Sequence, residues 1–169
     1  MVMSLTTGNT TPDTTPDRGA QVLRIPPPLY YGAAFAVGLL LRGTSVPLTI
    51  GARPAIVLLG AGALAAGAAL SFAAVIAVVR HHTTIVPHHA ASTLITTGAY
   101  RLSRNPMYTG LAIAYLGGAL LAGSWWPLVT LPLVLLVGRR VVIEPEERYL
   151  IGRFGQTYLD YRARSRRWL

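Results

Sequence analysis

The chain has no cysteine and no lysine, and it sets only six acidic residues against fifteen arginines. Without cysteine there is no disulfide, no thiolate metal site and no cysteine nucleophile. The acidic residues are unevenly placed. Asp13 and Asp17 lie near the start and Asp160 near the end, while all three glutamates fall within Glu144-Pro145-Glu146-Glu147. The apolar middle therefore carries no carboxylate at all. Charged residues make up 12% of the chain and hydrophobic ones 52%. Those proportions exclude an ordinary soluble domain and fit a small polytopic membrane protein. The net charge of +9 does not point to nucleic acid, because the arginines gather at the ends of apolar stretches, as at the cytoplasmic flanks of membrane helices.

What is present is a series of apolar runs. At 169 residues the length suits one domain. Residues 1–24 are polar, repeat Thr-Thr-Pro-Asp in tandem and contain nothing that can form a core, so a disordered tail is expected there. The single domain is expected over 25–169. A first span is predicted from Pro28 to Arg42 and a second from Ala55 to Val79, which is free of charge. A third runs from Met107 to Gly123, with Pro106 suited to the first helical turn. The turn Gly123-Ser124 and an aromatic belt at Trp125-Trp126 precede a fourth span, Pro127 to Ile143, with a bend expected at Pro132. Pro145 then marks the start of a separate amphipathic helix on which Leu150, Phe154, Tyr158 and Tyr161 recur at helical spacing. The expected architecture is all-α: about four transmembrane helices plus a C-terminal amphipathic helix at the membrane face.

Four spans place the tail, the 80–106 connector and the C-terminal segment on one side. That side holds thirteen of the fifteen arginines, leaving Arg42 and Arg53 opposite, so both termini are expected in the cytoplasm. Small residues four apart, Ala63, Gly67 and Ser71 on the second span and Gly110, Ala114, Gly118 and Ala122 on the third, let backbones approach closely. Packing within one chain is the expected use, which leaves a monomer or weak homodimer.

Chemistry is expected where the spans end. A short hairpin between the third and fourth spans brings Tyr100, Arg101, Arg104, Asn105 and Tyr108 alongside Arg139, Arg140, Glu144, Glu146 and Glu147. Carboxylates this close to hydrocarbon are costly and usually functional. Beside arginines they suggest a seat for a cation or zwitterion. Glutamates at a helix start also serve as dipole caps, the role expected of Glu144. The pairs His81-His82 and His88-His89 lack the cysteine or nearby carboxylate that would complete a metal set, so no metal is expected.

Two motifs then stand out. Leu94-Ile95-Thr96-Thr97-Gly98-Ala99-Tyr100 followed by Arg104-Asn105-Pro106-Met107-Tyr108-Thr109-Gly110 resembles the Leu-Val-x-x-Gly-x-Tyr…Arg-His/Asn-Pro-x-Tyr-x-Gly signature of the isoprenylcysteine carboxyl methyltransferases. Glu146-Glu147-Arg148-Tyr149-Leu150, with Phe154-Gly155, Tyr158, Tyr161 and Arg167, is similar to the ending of that family. Membrane phospholipid methyltransferases share a looser form of the pattern. The resemblance covers about 93–168 and places the cofactor-binding half at about 93–169. It implies an integral membrane methyltransferase using S-adenosylmethionine, held by Thr93, Leu94, Ile95, Gly98, Tyr100, Asn105, Pro106, Met107, Tyr108, Glu146 and Glu147. Glu146 is the expected principal ligand and Glu147 its support. Helix N-terminal amides near Asn105 to Met107 are expected to favour the cofactor carboxylate.

The acceptor implied is a lipophilic, prenyl-type or lipid-like molecule from the bilayer, methylated at a carboxylate held by an arginine. Val142 stands where the family has its substrate-holding arginine, so Arg104, Arg139 or Arg140, and then Arg167, are the candidates. Arg104, Tyr108 and Arg140 are the expected catalytic residues. An amine or hydroxyl acceptor would need a base, for which His88 and His89 are best placed. The asparagine at 105 is usual in bacterial relatives, which points to a bacterial inner membrane. Membrane lipids are the other expected partners, and no nucleic acid. The alternatives are a membrane NADPH-dependent reductase of the sterol-reductase type and a non-catalytic membrane scaffold.

Overall fold

The computed structural model describes residues 26–43, 49–51, 53–81 and 93–169. Four apolar helices begin with a proline in the first turn: α1 (Pro27–Leu41), α2 (Pro54–Arg80), α4 (Pro106–Leu121) and α5 (Trp126–Gly138). Proline is at home there because its missing N–H would have had no partner and its fixed φ suits the helix. A single turn, α3 (Ala99–Leu102), precedes α4. The chain is all-α among the described residues, as expected, with one isolated bridge between Thr49 and Ser124.

Past α5 the structure departs from expectation. No new helix starts at Pro145. A π turn, Arg139–Ile143, joins α5 to α6 (Glu144–Phe154), and together they make a continuous 29-residue helix from Trp126 to Phe154. The Glu144 N–H reaches back five residues to the Arg139 carbonyl. A proline inside a helix lacks an N–H and presses on the carbonyl four residues earlier. The wider π turn accommodates Pro145 without ending the helix. The residue before Glu144 is itself helical and none of the glutamates caps a helix end, so the capping role expected of Glu144 is corrected. The true break comes at Gly155, whose φ of +51° lies where glycine alone is unstrained. α7 (Gln156–Arg164) follows it. The amphipathic segment is thus the end of the last span plus a short separate helix.

The seam between α2 and α4 shows what the small residues do. The two helices run antiparallel, with Gly60 against Gly117 and Gly67 against Gly110 and Ala114. A Cβ on Gly60 would meet the Gly117 carbonyl at 3.1 Å, and one on Gly67 or Gly110 would strike the facing backbone outright. Ser71 completes the seam by donating to the Met107 carbonyl at 3.2 Å. The stripes are used for packing within the chain. Gly118 faces elsewhere, onto the Phe35 ring of α1. Gly67→Val is expected to abolish recovery of folded protein, whereas Gly62→Ala, at a site with open space around it, should leave yield unchanged. Size-exclusion chromatography in detergent reads both.

α5 packs mainly on α1, with Gly38 seated against the Pro127 backbone. Tyr31, Tyr108, Tyr115, Leu131, Val134, Val142 and Ile143 form the buried core there. The Tyr115 hydroxyl meets Thr130 Oγ1 at 2.7 Å, which keeps that polar pair satisfied inside the bundle. Outer faces are apolar: Leu40 is 77% exposed, Leu58 72% and Phe72 68%. Surface of this kind needs hydrocarbon around it. α2 and the Trp126–Phe154 helix are each long and apolar enough to cross a membrane, while α1 and α4 are shorter apolar helices. Arg42 donates to the Ala122 carbonyl at 2.9 Å, so the ends of α1 and α4 meet at the same end of the bundle. The opposite end carries the site.

Candidate active site at the polar end of the bundle

Four segments meet at that end: the 93–105 loop with α3, the foot of α4, α6, and α7 with the residues after it. Backbone carbonyls of the last segment are the anchor. The Arg104 N–H donates to the Arg166 carbonyl at 2.8 Å, and the Asn105 amide and Ser103 hydroxyl donate to the Arg167 carbonyl at 3.0 and 3.2 Å. The Arg104 guanidinium adds bonds to the Arg162 and Ser165 carbonyls. From α7 the Tyr161 hydroxyl donates to the Tyr100 carbonyl at 2.6 Å. The C-terminal residues are in effect a strap laced to the loop before α4. Burial pushes the Tyr161 hydroxyl up to about 12 and raises those of Tyr158 and Tyr100 as well, so all three remain neutral donors at physiological pH.

The three glutamates part company here. Glu144 faces outward and pairs with Arg139 at 2.8 Å and Arg140 at 3.9 Å, both well exposed. Glu147 is buried. Arg167 grips it with two hydrogen bonds of 3.0 and 2.6 Å, and Arg104 adds a third contact at 3.5 Å. This forked geometry is the strong form of an arginine–carboxylate pair. Donating to the Glu147 carboxylate raises the Arg167 guanidinium above its ordinary value. Glu146 is different again. The charge bearing on it is that of Glu147, and among the described residues no arginine is placed against it.

A cavity of about 600 Å³, counting its open mouth, lies over Glu146. Its polar wall is Arg104, Asn105, Glu146 and Glu147; Val78, Ile95, Ile143 and Leu150 supply apolar wall, and Tyr100, Tyr158 and Tyr161 the aromatic one. Thr93 and Leu94 close the loop side. Arg104 retains one buried donor, its Nε–H, with no partner among the described residues.

Of the residues picked out by sequence, Thr93, Leu94, Ile95, Tyr100, Arg104, Asn105, Glu146 and Glu147 converge on this cavity. Gly98, Pro106, Met107 and Tyr108 do not line it. Gly98 is exposed with φ +61°, Pro106 is fully buried at the start of α4, and Met107 packs against the apolar core. Tyr108 is buried in the apolar core, among the rings of α1. Arg139 and Arg140 stand outside the cavity on Glu144, and Arg167 is occupied by Glu147. His81 bonds to the Ala77 carbonyl of its own helix, while His82, His88, His89 and the 1–24 tail lie outside the described residues. Sequence reasoning missed Val78 and Ile143, plain apolar residues within spans, and it gave no role to Tyr158 and Tyr161, although both belong to the C-terminal motif.

A family model for phospholipid methyltransferases matches residues 55–157. The chain belongs to that family. The match takes in α2 through the start of α7 and stops short of α1 and of the C-terminal strap. The protein is also similar to the Protein-S-isoprenylcysteine O-methyltransferase of Schizosaccharomyces pombe (strain 972 / ATCC 24843), with 37% identity over 71 residues. That segment is 42% of this chain and 30% of the relative, so the shared region spans under a third of the relative's length. No solved structure matches. Family membership and the exposed apolar faces of its helices together make this an integral membrane protein.

Proposed function

We propose that the protein is a methyltransferase that binds S-adenosylmethionine in the cavity over Glu146 and methylates a lipophilic acceptor drawn from the bilayer. The observation that carries this reading is the pairing of free groups in one wall. Among the described residues, Glu146 is a carboxylate without an arginine, and Arg104 offers a guanidinium N–H without an acceptor. Such a wall suits a zwitterionic head. S-adenosylmethionine supplies an electrophilic methyl group on a sulfonium, attached to an amino-acid head and an adenosine. Glu146 would accept from the ammonium or the ribose hydroxyls, and Arg104 Nε–H would donate to the carboxylate. The loop 93–95 with Tyr100, Tyr158 and Tyr161 would bracket the adenosine. Val78, Ile95, Ile143 and Leu150 keep water from the reacting centre, which matters because in-line methyl transfer depends on orientation and water exclusion.

Arg139 and Arg140 are too exposed, and Arg167 too fully engaged, to seat an acceptor at this cavity. The name of the fission-yeast relative supports a prenyl-type acceptor, and the family description a lipid-like one. The site would face the cytoplasm of a bacterial inner membrane, with the arginine-rich ends inside. Calorimetry of the protein in nanodiscs tests the cofactor reading. S-adenosylhomocysteine is expected to bind with micromolar affinity or better and NADPH not to bind. The reverse preference would support a reductase and remove the proposal.

A further inference from the structure

A second cavity shares one wall, Tyr161, with the first. It holds about 720 Å³, counting its open mouth, and Thr96, Arg101, Arg164 and Ser165 complete its lining. Every one of these side chains carries a polar group, and two are cationic. The cations come from separate parts of the chain: Arg101 from α3, before α4, and Arg164 from the last residue of α7. The lacing of the strap to the loop brings them to one recess, above all the bond of 2.6 Å from the Tyr161 hydroxyl to the Tyr100 carbonyl.

Among the described residues no carboxylate answers these two cations. Glu144 is taken by Arg139 and Arg140, and Glu147 by Arg104 and Arg167. Glu146 lines the first cavity and not the second. Asp160 lies one turn before Arg164, but its carboxylate accepts from Gln156 at 2.8 Å, and Arg164 Nε–H donates to the Asp160 carbonyl instead. The terminal nitrogens of Arg164 and the whole Arg101 guanidinium bond to no described residue. Two like charges drawn into one recess repel each other, and an anion seated between them removes that cost. The planar fork of arginine matches phosphate oxygens in particular. Thr96 adds a neutral hydroxyl donor, whereas Ser165 spends its proton on the Tyr161 carbonyl.

The depth of the recess says which phosphate. α3 packs against α2, and its Tyr100 shares the wall of the first cavity with Val78, near the end of α2. Val79 is 58% exposed, and Leu102, beside Arg101, is 62% exposed. Apolar side chains left open next to arginines mark the level where hydrocarbon gives way to headgroups, and anionic lipids attract arginine there. We infer that Arg101 and Arg164 seat the phosphate of an anionic phospholipid headgroup, which fastens the C-terminal strap to the loop before α4. This goes beyond the cofactor reading and does not depend on it. The lipid sits in a recess without Glu146 or Arg104, and it is neither cofactor nor methyl acceptor.

The test uses full-length protein in uncharged maltoside micelles at low ionic strength, without cofactor. Calorimetry follows titration with dihexanoyl-phosphatidylglycerol, with its phosphatidylcholine counterpart and with inorganic phosphate. Phosphatidylglycerol is expected to bind most tightly, because the choline cation opposes the two arginines and free phosphate lacks the chains. Arg101→Gln and Arg164→Gln should each weaken that binding by about tenfold, the lower end for a charge-assisted bond since both side chains are exposed. Arg148→Gln removes the same charge from an exposed position outside both cavities and should leave affinity within twofold. Bound phosphatidylglycerol should raise the melting temperature of the parent and raise it less in the two pocket variants. Equal weakening in all three variants would reduce the effect to diffuse charge and overturn the inference. Equal affinity for phosphatidylcholine, equal affinity for inorganic phosphate, or no binding by the parent overturns it too. So does collapse of both lipid-free pocket variants, which would give the arginines a structural partner in place of a lipid.

Discussion

Glu146→Gln is expected to weaken S-adenosylhomocysteine binding by about 10- to 100-fold, the loss for one charge-assisted hydrogen bond, with no loss of folded protein. The two halves of that result have one cause. Among the described residues Glu146 has no arginine to lose, and its charged neighbour is another carboxylate. Neutralising it breaks no ion pair and removes a like-charge contact, so thermal unfolding in detergent should shift upward or stay put. A ligand group can be deleted in this way only when its partner is the ligand. Calorimetry showing parental affinity in the variant would remove Glu146 from the site.

Glu147→Ala should behave in the opposite sense, destabilising the protein by about 3 kcal/mol. Removing one member of a buried ion pair typically costs ~3–5 kcal/mol because the other charge is left stranded. The lower end applies because the Arg167 side chain is 25% exposed and can turn to water. Two cations lose their anion at once, and the strap that Arg104 and Arg167 hold over the loop before α4 loosens with them. Cofactor affinity should fall as a consequence of that loosening. Chemical denaturation of Glu147→Ala, Arg167→Ala and the double variant separates the pair from its surroundings. The double variant should be more stable than the two single losses combined predict. Additive losses would show that the two side chains are not coupled. Glu144→Gln, which touches only exposed arginines, should change neither stability nor binding.

The difference between neighbours one and three positions apart along the same stretch was only partly legible in sequence. Hydropathy announced the spans because the surface that meets lipid must be apolar over a helix's whole length, and α1, α2 and α4 begin and end within one or two residues of where composition put them. The glycine stripes were legible in kind, though their partners, such as Gly60 with Gly117, depend on how two helices are set against each other. Pro145 misled because the same rule that correctly starts four helices at proline fails when a π turn takes up the extra residue. With the helix read as ending there, Arg139 and Arg140 looked like site residues. In the continuous helix they fall on an exposed face with Glu144. Arg167 was read as a substrate ligand; its partner is Glu147, twenty residues away in the chain, and no local pattern signals that bond.

The π turn at 139–143 also sets the phase of everything beyond it. An α-helix advances by roughly 100° with each residue, so one surplus residue turns the carboxylates of α6 by about that angle relative to the lipid-facing stripe of α5. The two halves of the same helix are thereby released from a common azimuth. Leu133, Leu136 and Val137 can answer to the thickness and composition of the bilayer, while Glu146 and Glu147 keep their bearing on the cavity.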